Sequence, residues 1–335
     1  MYEDYIPPLA NKFISLSNKL GFFDLYNIYK NYSNPQATIL MYHRVNSNRD
    51  NWSIDTTDTK LFEKEMKYLK RTYNFLSLED LADKIKKKER LPKRSVVITF
   101  DDGYKDNYKE AYPILKKYKI PATIFLTSSF IEKDKIFWWD QIGYTLFHSK
   151  SKKVKIEKIG EIDISYVKEN QKYFDKIIEK FKVLPEEKRN EILIKLIKKL
   201  NVKIPNDIFK NISLSWDEIN EMSKENIDFG AHTVNHLILT NLSIKKAKSE
   251  ILESKKEIEK RLGKKISTFS YPNGLRADYN NEIIKILKEN KFKCAVTAIP
   301  NTVDSKTNLF ELGRISPGWT FDTFKFFISG LYQER

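Results

Sequence analysis

Seven short apolar runs, most of them followed by an amphipathic helical stretch, constrain this chain more than any other feature of its sequence. They lie at 38–42, 95–100, 122–126, 227–231, 267–271, 294–297 and 309–315. The clearest, Ser95-Val96-Val97-Ile98-Thr99-Phe100, lacks the polar alternation of a half-exposed strand and predicts burial on both faces. Helical patterns at 59–73, 77–88, 105–118, 215–226, 243–262 and 279–290 fall between the runs. Parallel strands need long crossovers, and these helices supply them. The expected fold is α/β: a distorted, incomplete (β/α) barrel of about seven strands.

The pattern breaks between about 132 and 212. This stretch holds the aromatic cluster Phe137, Trp138 and Trp139, a short alternating piece, and Lys/Glu-rich helical patterns near 166–182 and 186–200. It reads as a helical insertion. Residues 9–31 are amphipathic, with Leu9, Phe13, Leu16 and Leu20 at helical spacing and Gly21 as a break. That stripe either packs on the main domain or lies on a membrane surface. The expected organisation is an N-terminal helical segment over 1–34 and a main domain over 35–335 with the insertion at about 132–212.

No apolar run approaches the roughly 18 residues of a spanning helix. The segment Met1 to Phe13 has two acids and two prolines and lacks the pattern of a secretory signal, so a cytoplasmic location is expected. The single cysteine, Cys294, excludes an intrachain disulfide and a cysteine-built metal site. Lys and Arg outnumber Asp and Glu by 60 to 45, a net charge of +15. Much of it sits in dispersed lysine-rich helices and reads as solvated faces; of the acidic partners, an anionic substrate or membrane surface fits better than nucleic acid, for which no recognition motif is present.

Polar residues stand at the ends of several apolar runs: His43, Asp101 with Asp102, His232, the Pro272–Gly274 turn and Arg314. In a parallel barrel that edge builds the active site. His232 and His236, half the histidines of the chain, are spaced i, i+4, so one helical turn would aim both at one ion. A carboxylate is the natural third ligand, leaving positions open for water and substrate. Of two adjacent aspartates, one can bind the ion while the other takes a proton from water. The competing reading of Asp101-Asp102-Gly103 is an ordinary turn capping the next helix. His148 has no motif around it and reads as a surface residue.

Thr99-Phe100-Asp101-Asp102-Gly103 and His232-Thr233-Val234-Asn235-His236 resemble the first two motifs of the polysaccharide deacetylases, carbohydrate esterase family 4 with the NodB-homology domain. Ser270-Tyr271-Pro272-Asn273-Gly274 resembles the third motif, and Leu312-Gly313-Arg314-Ile315 stands where a last one is expected. Met41 to Val45 and Trp138-Trp139-Asp140 are similar to the branch associated with cell-surface glycan synthesis. The resemblance implies a hydrolase that removes acetyl groups from sugars. It implies Asp101 as general base, Asp102, His232 and His236 as ligands of Zn²⁺ or another divalent first-row metal, and the backbone N–H of Asn273, after Pro272, as oxyanion donor, with Tyr271 of the same motif counted in the oxyanion and substrate site.

Two departures stand out. Ser270 occupies the place of an Arg that steadies the catalytic Asp, and Arg314 the place of a His acting as general acid. Arg314 is then expected to pair with Asp101. His43 is the remaining candidate for the acid, because histidine is the side chain suited to proton transfer near neutrality. Trp138, Trp139 and Asp140 are candidates for sugar contacts. The expected substrate is an N-acetylated polysaccharide or a lipid-linked glycan precursor, with peripheral membrane contact and no nucleic acid. The alternatives are an O-acetyl esterase acting on glycans and a glycan-binding protein whose catalysis has decayed.

Overall fold

The computed structural model describes residues 8–47, 55–133, 135–205 and 212–332. Met1 to Pro7, at the start of the segment read for a signal, and the side chain of Leu9 lie outside the described residues. Helix α1 (Pro8–Lys19) and helix α2 (Phe22–Ser33) lead into strand β1 (Ala37–Tyr42), then the two-residue strands β2 (Arg44–Val45) and β3 (Thr56–Thr57). Helix α3 (Thr59–Thr72), β4 (Asn74–Phe75), α4 (Leu78–Lys86), β5 (Ser95–Phe100), α5 (Tyr112–Tyr118) and β6 (Ala122–Leu126) follow. The insertion carries α6 (Trp138–His148), β7 (Lys153–Ile156), β8 (Gly160–Asp163), α7 (Ile164–Glu169), α8 (Gln171–Lys182) and α9 (Glu186–Leu200). The main unit resumes with α10 (Trp216–Met222), β9 (Ile227–Ala231), α11 (Ile244–Leu262), β10 (Thr268–Ser270), α12 (Asn281–Glu289), β11 (Cys294–Val296) and α13 (Phe321–Ile328).

The main sheet runs β1-β5-β6-β9-β10-β11, with β4 against the start of β5. Its pairings are parallel, and β1, β5 and β6 are buried along their whole length. The fold is the curled, incomplete parallel barrel that the apolar runs predict. The last expected strand is different. Residues 309–315 form single bridges, Leu312 with Val296 on one side and Ile315 with Leu40 on the other. The chain changes partner within three residues, so it cannot run as a regular strand, but it spans the gap between β11 and β1. Gly313 at this seam has no room for a side chain: a Cβ would meet Asn301 Cβ at 2.7 Å and Ile299 O at 2.9 Å.

Two helical readings also change. The helix expected over 105–118 opens as a π-helical stretch, Asn107–Ala111, before α5. Pro113 offers no N–H to the carbonyl of Lys109 and crowds it, which favours the wider turn. The N-terminal segment is two helices as expected, with Gly21 at φ +71° between them. However, Ile14, Phe23, Asn27 and Asn31 face inward, while the stripe of Phe13, Leu16 and Leu20 points to solvent.

The chain divides into two compact units, a smaller one made mainly of Asp134–Ile212 and a larger one containing the barrel. The smaller has its own core, with Ile142, Phe174, Phe181, Ile192 and Leu196 fully buried. Among the described residues no helix is long and apolar enough to cross a membrane.

Candidate metal centre and active site

The carboxyl edge of β5 carries Asp101 and Asp102 into a turn. Asp102 takes φ +76° and Gly103 φ +84°, two successive left-handed residues that fold the chain back at once. A Cβ on Gly103 would press on Ile131 and Leu126 at 3.0 Å, so the turn also requires the smallest residue. His232 follows β9, its N–H donating to Leu126 O at 3.0 Å.

The segment 232–236 is not a helical turn. Thr233 (φ +64°) and His236 (φ +55°) are left-handed, and the loop is held from outside. Glu250, on the buried face of α11, accepts from Val234 N (3.0 Å), Asn235 N (2.9 Å) and Asn235 Nδ2 (2.7 Å). Ser128 N and Ser129 N donate to Thr233 O and Val234 O. The histidines converge through this scaffold rather than through helical periodicity. Glu250 went unnoticed in the sequence, though one signal exists: it sits in the stripe Ala247, Ile251, Ser254, Ile258, where a helix of this kind places apolar residues.

Asp102 Oδ1 lies 3.6 Å from His232 Nε2 and 3.4 Å from His236 Nε2. One ligand atom from each of the three residues falls within 4.8 Å of the others. His232 Nδ1 is 2.7 Å from Ser270 O, and since a carbonyl only accepts, Nδ1 carries the proton. Nε2 then presents a lone pair toward the Asp102 carboxylate. Burial pushes the His232 imidazole down to about 4, against the pull of Asp101, and holds His236 well below its ordinary value. Two neutral imidazoles and a carboxylate aimed at one point suit a divalent cation, and the donor set fits zinc and its first-row neighbours alike.

Asp101 stands beside this cluster, its Oδ2 3.9 Å from His232 Nε2. Arg314 holds it bidentately, Nη1 to Oδ1 at 2.7 Å and Nη2 to Oδ2 at 2.6 Å. The guanidinium also donates to Thr297 O (2.9 Å), Thr99 Oγ1 (3.2 Å) and Ser270 Oγ (3.0 Å). Ser270 Oγ lies 3.2 Å from Asp101 Oδ2 as a donor. The two departures of the sequence thus meet: a serine leaves space at β10, and the arginine arrives from the seam. Burial alone would raise the Asp101 carboxyl, but the Arg314 charge and hydrogen bonds outweigh it and hold it well below the usual carboxylate range.

His43 follows β1, its carbonyl accepting from Asn107 Nδ2 at 2.8 Å. It is among the groups that bear electrostatically on Asp101, His232 and His236. Asn273 has φ +63°, and its side-chain Nδ2 and Leu275 N both donate to Asp278 Oδ2, at 2.6 and 2.7 Å. Tyr271, which follows β10, is buried. Its ring is 1% exposed, stacked on Tyr279, with its hydroxyl donating to Phe310 O at 3.0 Å.

Trp138, Trp139 and Asp140 belong to the smaller unit. There Trp139 stacks on Phe137 at 4.4 Å, Trp138 lies under the Arg189 guanidinium at 4.8 Å, and Asp140 is buried. His148 Nδ1 is 2.9 Å from Tyr144 O, and its ring stacks on Tyr144.

At the carboxyl edge of a curled parallel barrel, an Asp–His–His cluster that could hold a metal ion thus stands beside a paired aspartate. Residues 88–295 match the polysaccharide deacetylase family, and the chain belongs to that family of hydrolases. It is 25% identical over 296 residues to YxkH of Bacillus subtilis, covering 88% of this chain and 76% of that one. It is 37% identical over 128 residues to the poly-beta-1,6-N-acetyl-D-glucosamine N-deacetylase of Staphylococcus aureus. That match spans 33% of this chain and 43% of the relative. Its fold is shared with the deacetylase PplD of Streptococcus pyogenes, solved in complex with acetate: TM-score 0.58, 21% identity, 87% of this chain and 96% of that one.

Proposed function

We propose that this chain hydrolyses N-acetyl groups on the amino sugars of a polysaccharide of the poly-N-acetylglucosamine kind. The convergence of Asp102, His232 and His236 beside the Asp101–Arg314 pair carries this reading. The three ligands would hold a divalent cation, which supplies Lewis acidity toward water and the acetamide carbonyl. Asp101, kept ionised by Arg314, takes a proton from the attacking water; Oδ2 is the carboxylate oxygen on the cluster's side. Arg314 fixes both Asp101 oxygens and is too fully buried and engaged to serve as the acid. The N–H of Asn273, in a turn pinned by Asp278, is the donor proposed for the developing oxyanion. His43 is the group proposed to protonate the departing amine, which cannot leave as an anion.

The test is acetate release from N-acetylglucosamine polymers, with and without a chelator. Asp101→Asn should keep its metal and lose about 10²–10⁴-fold in turnover, because it removes a proton acceptor and not a ligand. Asp102→Asn should lose metal as well. Acetate release that survives both metal depletion and Asp101→Asn would refute the assignment.

A further inference from the structure

Eight of the fourteen large apolar side chains exposed among the described residues lie within residues 13–32. Phe13 and Leu16 lie on the outer face of α1 with Leu20 just past its end, and Phe22, Leu25 and Tyr29 on that of α2, each 48–79% exposed. The inner face is already satisfied. Phe23 meets Phe326 edge-on at 5.7 Å, and Asn27 Nδ2 donates to Ile328 O at 3.4 Å and Ser329 O at 3.3 Å. The outer stripe is therefore surplus to packing on α13.

Among the described residues, charge around the stripe is predominantly positive. Lys12 and Lys19 are exposed on α1. At the end of α2, Arg90 Nη2 donates to Tyr32 O at 3.3 Å and Lys93 Nζ sits 4.3 Å over the Tyr32 ring; before them stand exposed Lys86, Lys87 and Lys88 and one exposed acid, Glu89, paired with Lys84 and Lys87. The single acid within 8–33, Asp24, turns inward to Lys325 Nζ (2.6 Å) and the Tyr68 hydroxyl.

We propose that the outer face of the α1–α2 hairpin docks on an anionic lipid bilayer, its aromatic and leucine side chains entering the headgroup boundary while the lysines and Arg90 meet lipid phosphates. An apolar stripe whose rim carries Lys12, Lys19, Lys86, Lys87, Lys88, Arg90 and Lys93 against one exposed carboxylate, Glu89, is complementary to such a surface. A second copy of the chain fits less well, because a two-fold contact would set like-charged lysines against each other. The inference is independent of the chemistry at the carboxyl edge of the sheet.

The full-length protein should float with vesicles of phosphatidylcholine containing one third phosphatidylglycerol and far less with phosphatidylcholine alone, and added salt should release it. Leu20→Ser with Leu25→Ser should lower partitioning at least about tenfold. Lys12→Glu with Lys19→Glu should cost about fivefold or more per residue at low salt. All four positions are exposed, so thermal unfolding and acetate release from a water-soluble substrate should be unchanged. Three results would each overturn the proposal. One is no flotation of the folded protein at low salt. Another is flotation indifferent to the leucine pair. The third is a dimer in light scattering that the leucine pair dissolves without any vesicle binding.

Discussion

At the scale of single residues, the Asp101–Arg314 pair shows how a buried charge is made tolerable. Both side chains are nearly inaccessible, and every nitrogen of the guanidinium has an acceptor within 3.2 Å. Removing the cation leaves a buried carboxylate with only Ser270 to answer it. Arg314→Met should therefore destabilise the fold by about 3–5 kcal/mol at neutral pH. The Asp101 carboxyl is depressed in the wild type, so the pair's contribution is full above about pH 4 and fades as pH falls further toward the folded value. The penalty for Arg314→Met, read by urea unfolding, should shrink in acid accordingly.

Glu65 poses the opposite case. It is fully buried on α3, hydrogen-bonded by the Tyr42 hydroxyl at 2.8 Å, and burial raises its carboxyl well above the ordinary value. Between the unfolded value near 4.3 and that raised value, the folded state holds a proton that the unfolded chain releases, so stability falls as pH rises. Glu65→Gln should gain on the wild type as pH increases above about 4.3, by up to about 1.4 kcal/mol per unit. A stability difference constant from pH 4 to 8 would show that Glu65 does not titrate as argued.

At the scale of elements, caps and loops do what periodicity cannot. Ser215 and Glu218 form the full reciprocal box at the start of α10. Ser77 and Asp80 manage half of it: Ser77 Oγ accepts from Asp80 N at 3.0 Å, while the Asp80 carboxylate takes the serine hydroxyl at 2.7 Å. Asp is one methylene shorter than the Glu or Gln of the motif. The histidine loop depends on an element remote in sequence. Glu250→Gln replaces one acceptor oxygen with an amide nitrogen facing N–H donors, so at least one of its three bonds is lost. Metal affinity measured by chelator competition should drop about 10–100-fold with the fold retained. An unchanged affinity would mean that the left-handed residues hold the loop unaided.

At the scale of the whole barrel, closure rests on an irregular seam rather than an eighth strand. Ile315 N donates to Ile39 O at 2.8 Å and Met41 N to Ile315 O at 3.0 Å, while Thr297 N donates to Leu312 O at 2.8 Å. The same segment delivers Arg314 to Asp101, so seam and site are one structure. Gly313→Ala inserts a Cβ where backbone already stands, and should cost about 1–3 kcal/mol, read as a lower Tm. It should also lower activity more than a surface substitution of equal thermal effect, because the displacement reaches Arg314.

The amino-acid sequence by itself determined the alternation of buried strands and amphipathic helices, hence a parallel barrel with its polar residues at one edge. Local composition is enough for that, since burial on both faces is written into Ser95–Phe100 and Ala122–Leu126. It also marked Asp101, Asp102, His232 and His236, because short motifs keep chemically necessary residues close in the chain. Tertiary structure alone decided the rest. Glu250 reaches its loop across 15 residues, which no local period encodes; Arg314 reaches Asp101 across 213, a pairing that the motif departures suggested but whose bidentate geometry only the fold supplies. Burial of Tyr271 and exposure of Phe13, Leu16 and Leu20 were settled the same way: an apolar side chain states that it can be buried, and only the neighbouring elements determine whether anything covers it.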